Sequence, residues 1–281
     1  MRAWQDGRHI DPQDAHVTIL DRGLLLGDGV FETMAIAGGR ALDLDAHLAR
    51  LSSGLALLGF AQAVDLVKLG RDIAAYAATE GKESAVLRVT VTRGSGPRGL
   101  APPQTPNPSI FMTLAPMPRS RTTPLSLHIA AGTRRNEFSP LSRIKALPYL
   151  DNLLALSEAR AAGADEALLL NTHGTLACAS VANLFRIKDG RLETPPLGDG
   201  ALPGTMRALV LSCAEAAGLV PRETSMTARD LHEADHVFLT NSVSRLTEAG
   251  QCDGKPLRRQ SAAALERLRA CVAAALAAPA P

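Results

Sequence analysis

Aromatic residues are scarce in this chain: six Phe, two Tyr and one Trp, or 3% of 281 residues. So few rings leave little for base stacking, and a formal net charge of +2 provides no basic footprint for nucleic acid. No apolar run reaches the roughly 20 residues of a membrane-spanning helix. The opening Met1-Arg2-Ala3-Trp4-Gln5-Asp6-Gly7 lacks the pattern of a signal peptide, so the cytoplasm is the expected location. Cys178, Cys213, Cys252 and Cys271 are scattered, with no CxxC. That argues against a disulfide framework and against a zinc site, and no metal is expected. Walker A, GxGxxG and HExxH motifs are missing as well, and no Ser/His/Asp order can be defended. Nothing therefore points to a nucleotide-dependent or metal-dependent enzyme.

What is present describes an ordinary soluble globular protein, with 46% hydrophobic and 21% charged residues. The length suits two cores of usual size. In the first third, Trp4 to Ile10, His16 to Leu20 and Val30 to Ala37 read as strands. Val30 to Ala37 and Ala41 to Leu44 flank Gly38-Gly39, a hairpin signal. Asp45 is an expected N-cap for a helix with Leu48, Leu51, Leu55 and Leu58 on one stripe, ended by Gly59. A second helix over Val64 to Thr79 and strands over Val86 to Thr92 and Ile110 to Leu114 follow. The Pro-rich stretch Pro116 to Pro124 is the natural linker, which divides the chain into domains 1–116 and 125–281 around residues 117–124. Beyond it, strands at Leu125 to Ala130, Glu166 to Leu170, Leu184 to Ile187 and Val237 to Thr240 interleave with helices. Those helices are expected at Leu150 to Ala162, at Thr205 to Ala217 and from near Ser261 onward.

Lysine is also rare. There are five, at 68, 82, 145, 188 and 255, against 25 arginines. Lys82, Lys188 and Lys255 sit beside glycine in turn-like sequence, and Lys68 falls at a position where solvation is easy. Lys145 differs, because it follows Ile144 and precedes Ala146-Leu147-Pro148 at the edge of an apolar segment. Burial there would depress its pKa and make the amine a nucleophile suited to Schiff-base chemistry. Leu202-Pro203-Gly204-Thr205-Met206-Arg207 turns into a helix, so the amides of Thr205 and Met206 could bind a phosphate; a plain glycine-capped helix start fits equally. Arg50 shares a helix face with His47, as a solvated side chain or as a phosphate clamp. Arg93-Gly94-Ser95-Gly96-Pro97-Arg98-Gly99 could hold a substrate carboxylate, or be an exposed turn.

Taken in order, these segments resemble the fold-type IV enzymes of the class IV aminotransferase family. That family includes branched-chain and D-amino acid aminotransferases and 4-amino-4-deoxychorismate lyases. The resemblance covers nearly the whole chain. It runs through Asp21-Arg22-Gly23, Gly27-Asp28-Gly29-Val30-Phe31-Glu32-Thr33, His47 to Leu51, Arg93 to Gly99 and Lys145. It continues through Ala164-Asp165-Glu166-Ala167, Ala182-Asn183-Leu184-Phe185, Gly204 to Arg207 and Thr240-Asn241-Ser242. It implies an α/β (α+β) two-domain fold, with a smaller N-terminal α/β domain and a larger barrel-like C-terminal one. It also implies pyridoxal 5'-phosphate as cofactor, a small amino-bearing carboxylate as substrate, and a homodimer.

Within the family the details look most like the lyase, which converts 4-amino-4-deoxychorismate to 4-aminobenzoate and pyruvate. The turn from Arg93 to Gly99 is similar to the lyase pattern. Thr33 matches a threonine assigned to proton transfer, and Phe31 replaces the tyrosine of D-amino acid aminotransferases. Met206 stands where aminotransferases usually carry threonine, and Asn241 matches a lyase-type asparagine. The resemblance implies Lys145 and Thr33 as catalytic residues. Cofactor contacts fall to Lys145, Arg50, Cys178, Thr205 and Met206, and substrate contacts to Arg98, Asn241 and Phe31. Two positions depart from the pattern. Cys178 stands where the family has a glutamate for the pyridine nitrogen, and a thiol makes the ring a weaker electron sink. Ser244 to Ala249 replaces the usual Pro-Val. An aminotransferase for D- or branched-chain amino acids is the second reading, and a catalytically impaired binding protein the third.

Overall fold

The computed structural model of the protein describes residues 3–81 and 84–277, so Lys82 lies outside the described residues. The chain separates into two compact units. One gathers everything up to Pro118 together with Ile144–Pro148, and the other holds Arg119–Arg143 and the chain from Tyr149 onward.

The first unit contains β1 (Ala3–Gln5), β2 (Arg8–Ile10), α1 (Arg22–Leu26), β3 (Gly29–Ala37) and β4 (Arg40–Ala41), followed by α2 (Leu44–Leu57), α3 (Leu66–Glu80), β5 (Ser84–Thr92) and β6 (Ser109–Pro116). The strands form one antiparallel sheet in the order β2-β1-β6-β5-β3-β4. Its centre is β3 against β5, registered from Gly29 opposite Thr92 to Ala37 opposite Ser84. Strand alternation sends Val30, Met34 and Ile36 into a core shared with Leu55, Ile73, Tyr76 and Leu87. Helix α2 approaches β3 closely because residue 54 is glycine: a Cβ there would lie 2.9 Å from Val30 Cγ1. That close approach brings His47 and Arg50 of α2 to Glu32 of β3.

Two local expectations are corrected. Asp45 is not the N-cap of α2; Asp43 is, at φ 56°, without a side-chain cap bond, and Asp45 sits in the first turn. An acidic residue in the first turn still suits the positive end of the helix, which is why the residue type read as a cap. Residues 16–20 are not a strand but lead through a turn into α1, with Asp21 N donating to Thr18 O at 3.0 Å.

The second unit holds β7 (Leu125–Ile129), α4 (Leu150–Ala161), β8 (Glu166–Leu170), β9 (Leu176–Ala179), β10 (Asn183–Lys188), β11 (Arg191–Thr194) and α5 (Thr205–Ser212). After these come β12 (Val220–Glu223), α6 (Ala228–His232), β13 (His236–Asn241), β14 (Arg245–Cys252), β15 (Lys255–Pro256) and α7 (Ala262–Ala277). They form a mixed sheet in the order β12-β11-β10-β13-β14-β7-β8-β9, with β15 on β14. One core, including Phe185, Val210, Phe238, Leu265 and Leu268, packs α5 and α7 onto the sheet. A second, with Leu127, Leu168, Leu184, Leu231 and Leu239, surrounds α6. Helix α5 stops at Ser212 rather than at Ala217; a 3-10 turn over Glu215–Ala217 follows, closed by Gly218 at φ 75°. The mixed α/β class expected from sequence is the class observed. No helix among the described residues is long and apolar enough to cross a membrane.

Candidate active site

In the first unit, residues 145–147 run beside β3. Phe31 N donates to Lys145 O at 2.9 Å, and Leu147 N donates to Gly29 O at 3.0 Å. Backbone bonding therefore fixes Lys145 beside Phe31, with its Nζ 4.0 Å from the ring centroid. Arg88 of β5 lies over the same ring, Cζ at 3.8 Å. Lys145 is half-buried as a residue, yet its amine is enclosed. Burial, with Arg50 and Arg88 adding to it and Glu32 opposing, brings the amine down from 10.5 to about 7. Near neutral pH much of it is therefore an uncharged nucleophile.

Glu32 is fully buried and anchors this cluster. Arg50 donates from Nε to Oε1 at 2.8 Å and from Nη2 to Oε2 at 2.6 Å, while His47 Nδ1 lies 2.6 Å from Oε2. Burial alone would raise the Glu32 carboxyl, but Arg50 and His47 hold it below the ordinary value. The Nε/Nη2 edge of Arg50 is thus occupied by Glu32, so the guanidinium is oriented before any ligand arrives. Thr33 is half-buried opposite Arg88 in the ladder, on the strand face that also carries Phe31.

Four arginines, Arg93, Arg98, Arg134 and Arg135, differ in what they bond. Arg93 donates to Asp28 at 2.7 Å and to Leu58 O at 2.5 Å. Arg134 bonds the carbonyls of Ala130, Ala131 and Thr133, and Arg135 those of Gly200 and Ser142. Arg98 is exposed on its loop. That loop is held by Arg22, whose Nε bonds Asp28 at 2.8 Å while Nη1 and Nη2 reach Gly99 O, Ala101 O and Leu100 O at 3.0–3.2 Å.

In the second unit, α5 begins at Gly204 without a side-chain cap bond, leaving the amides of Thr205 and Met206 with no intrahelical acceptor. A Cβ at residue 204 would fall 2.1 Å from Asn183 Oδ1. The backbone therefore comes as close to Asn183 as only glycine permits, and Asn183 Nδ2 donates to Leu202 O at 2.9 Å to fix the turn. Thr205 Oγ1 lies 3.0 Å from Ser242 Oγ. The Met206 side chain is buried in the α5/α7 core, so only its amide is presented. This turn of amides and hydroxyls suits a phosphate.

Asn241 accepts from Val243 N at 3.0 Å and Ser244 N at 2.7 Å, and donates to Val181 O at 3.4 Å, so its amide shapes the 241–244 turn. Cys178 is buried in β9, and burial pushes its thiol up; Glu166 adds to this and Arg135 opposes it. Glu166 is itself buried with a raised carboxyl pKa, chiefly from desolvation, and receives the Ser180 hydroxyl and the amides of Ala167 and Ser180. Among the described residues no group of three or more His, Cys, Asp or Glu is placed to hold a metal.

Sequence reasoning gave no role to Glu32, Arg88 or Glu166. A carboxylate inside an otherwise uncharged strand, Val30-Phe31-Glu32-Thr33-Met34, is the signal that could have found Glu32. Arg88 resembles any outward-facing strand residue until the sheet register places it over Phe31.

The sequence profile of the family described as Amino-transferase class IV covers residues 29–252. A Methanocaldococcus jannaschii protein provisionally named a branched-chain-amino-acid aminotransferase is 31% identical, over 92% of this chain and 91% of its own length. The crystal structure of 4-amino-4-deoxychorismate lyase from Pseudomonas aeruginosa superimposes with a TM-score of 0.85 at 32% identity, covering 95% of this chain and 97% of that one. The Escherichia coli branched-chain amino acid aminotransferase shares the fold, with a TM-score of 0.88 at 23% identity over 95% and 92% of the two chains. This chain belongs to the class IV aminotransferase family.

Proposed function

We propose that the protein is a pyridoxal-phosphate-dependent lyase that cleaves 4-amino-4-deoxychorismate to 4-aminobenzoate and pyruvate. The observation that carries the cofactor assignment is Lys145, an enclosed amine near pKa 7 among cations that suit an anionic aldehyde. When bound, pyridoxal phosphate supplies an aldehyde that condenses with amines and a ring that withdraws electrons.

This chain's residues do the rest. The Thr205 and Met206 amides would hold the phosphate, and the paired hydroxyls of Thr205 and Ser242 offer further donors. Arg50, oriented by Glu32, adds positive charge near the amine. Lys145 Nζ takes the proton from the amine-bearing carbon of the substrate and returns it to the departing enolpyruvyl group, with the Thr33 hydroxyl assisting. Phe31 supports the apolar body of the substrate. Arg98, exposed on its loop, and Arg88, which lies over the Phe31 ring beside Lys145, are the cations for its carboxylates. Cys178, whose thiol burial keeps neutral, would be the partner offered to the pyridine nitrogen of the bound cofactor. That handicaps transamination more than an elimination driven by forming an aromatic product. The chain works as a homodimer in this reading, supported by large exposed apolar side chains on α1 (Leu24, Leu25) and α4 (Leu150, Leu153, Leu154).

The named aminotransferase relatives favour a second reading, transamination of D- or branched-chain amino acids. Incubation with aminodeoxychorismate and no keto acid separates the two. Release of 4-aminobenzoate and pyruvate in equal amounts is expected, and a strict need for a keto-acid acceptor would refute the lyase.

A further inference from the structure

Two of the four cysteines, 58 residues apart in sequence, meet in the second unit. Cys213 caps the C-terminus of α5 and Cys271 lies in the middle of α7. Their sulfurs are 2.6 Å apart, so the two side chains converge on one point between the helices. Apolar packing holds the two helices in place independently: Val210, Ala214, Leu265, Leu268 and Val272 share one core. Arg267 adds a polar tie from α7, donating from Nε to Ala217 O at 2.9 Å. The sulfurs differ in access, since Cys213 is buried and Cys271 half-buried. Cys178 and Cys252 are buried, and neither has a sulfur partner.

We propose that Cys213 and Cys271 form an oxidisable dithiol, a modification site at which peroxide cross-links α5 to α7. The accessible sulfur reacts first. Cys271 thiolate attacks one peroxide oxygen, the O–O bond breaks, and the other oxygen leaves as water after protonation, giving Cys271–SOH. Cys213 sulfur then attacks the sulfenyl sulfur; the S–S bond forms, the S–O bond breaks, and the second water carries away the Cys213 proton. Two thiols and one peroxide become one disulfide and two waters. Burial and the neighbouring Cys271 together push the Cys213 thiol up to about 12, which fits Cys271 as the initial nucleophile and Cys213 as the resolving partner. The site lies at the opposite end of α5 from the Thr205 and Met206 amides, and the inference is independent of which reaction the enzyme catalyses.

The test treats the purified full-length chain with a molar excess of hydrogen peroxide, alkylates it under denaturing conditions, and weighs it intact. Alkylatable thiols are expected to fall from four to two, with a mass loss of about 2 Da before alkylation, both reversed by dithiothreitol. Peptide mapping should join the segments holding Cys213 and Cys271. In Cys213→Ala the resolving thiol is gone, so Cys271 should instead gain oxygen atoms. Four thiols surviving, a bridge to Cys178 or Cys252, or an unmodified Cys271 in Cys213→Ala would each overturn the proposal.

Discussion

Replacing Glu32 with glutamine tests the arrangement around Lys145 most directly. The side chain is 1% exposed and accepts from Arg50 and His47 at 2.6–2.8 Å. The amide keeps the shape and one acceptor but loses the charge, taking the carboxylate counter-charge away from a nearly buried guanidinium. Removing one partner of a buried pair costs roughly 3–5 kcal/mol. For a chain of 281 residues that is a fall in Tm of roughly 5–9 °C. A second effect comes with it. Glu32 is what raises the Lys145 pKa against burial, Arg50 and Arg88, so its loss should carry the amine below about 7. The rate of pyridoxal phosphate uptake, followed by absorbance across pH 5 to 9, should then have its midpoint at lower pH than in the parent protein. Melting curves of both proteins complete the assay. An unchanged Tm, or a midpoint that stays put or moves up, would refute the reasoning.

Lys145→Met removes a group that must give up its proton on folding. The unfolded chain binds more protons than the native one between about 7 and 10.5, so the parent's stability rises with pH across that window. The variant apoprotein should therefore melt higher at pH 7, with the advantage vanishing above pH 10.5; equal melting at pH 7 would count against a depressed amine. Arg88→Gln removes a charge that lowers the Lys145 pKa and, with it, the proposed charge-assisted contact to a substrate carboxylate. The uptake midpoint should move up, and KM for the dicarboxylate should rise about tenfold or more; an unmoved KM would clear Arg88 of substrate contact. Arg22→Ala frees three loop carbonyls, so amide exchange across residues 94–101 should quicken while α2 stays protected. Uniform exchange across the unit would instead mean global loosening. Cys178→Glu should raise transamination relative to elimination, and identical ratios would dismiss the weak-sink argument.

Much of this protein is legible from residue order because the relevant physics is local. The β3 and β5 strands, the stripe of α2 and the glycine-led start of α5 follow from apolar periodicity and backbone preference. Lys145 stands out because lysine is rare here and its neighbours are apolar. Where sequence and structure part, the cause is non-local. Asp43 rather than Asp45 caps α2 because the turn from β4 fixes a positive φ there. Helix α5 ends at Ser212 because the chain must turn at Gly218 to start β12.

The motif order alone determined the family and singled out the amine to watch. Tertiary structure alone decided what surrounds that amine. Pairing of 145–147 with β3 sets Lys145 over Phe31, the sheet register brings Arg88 to the same ring, and the approach of α2 at Gly54 delivers His47 and Arg50 to Glu32. Proton affinity depends on burial and on charges within a few ångströms, and those distances are set by strand pairing and helix packing between segments far apart in sequence.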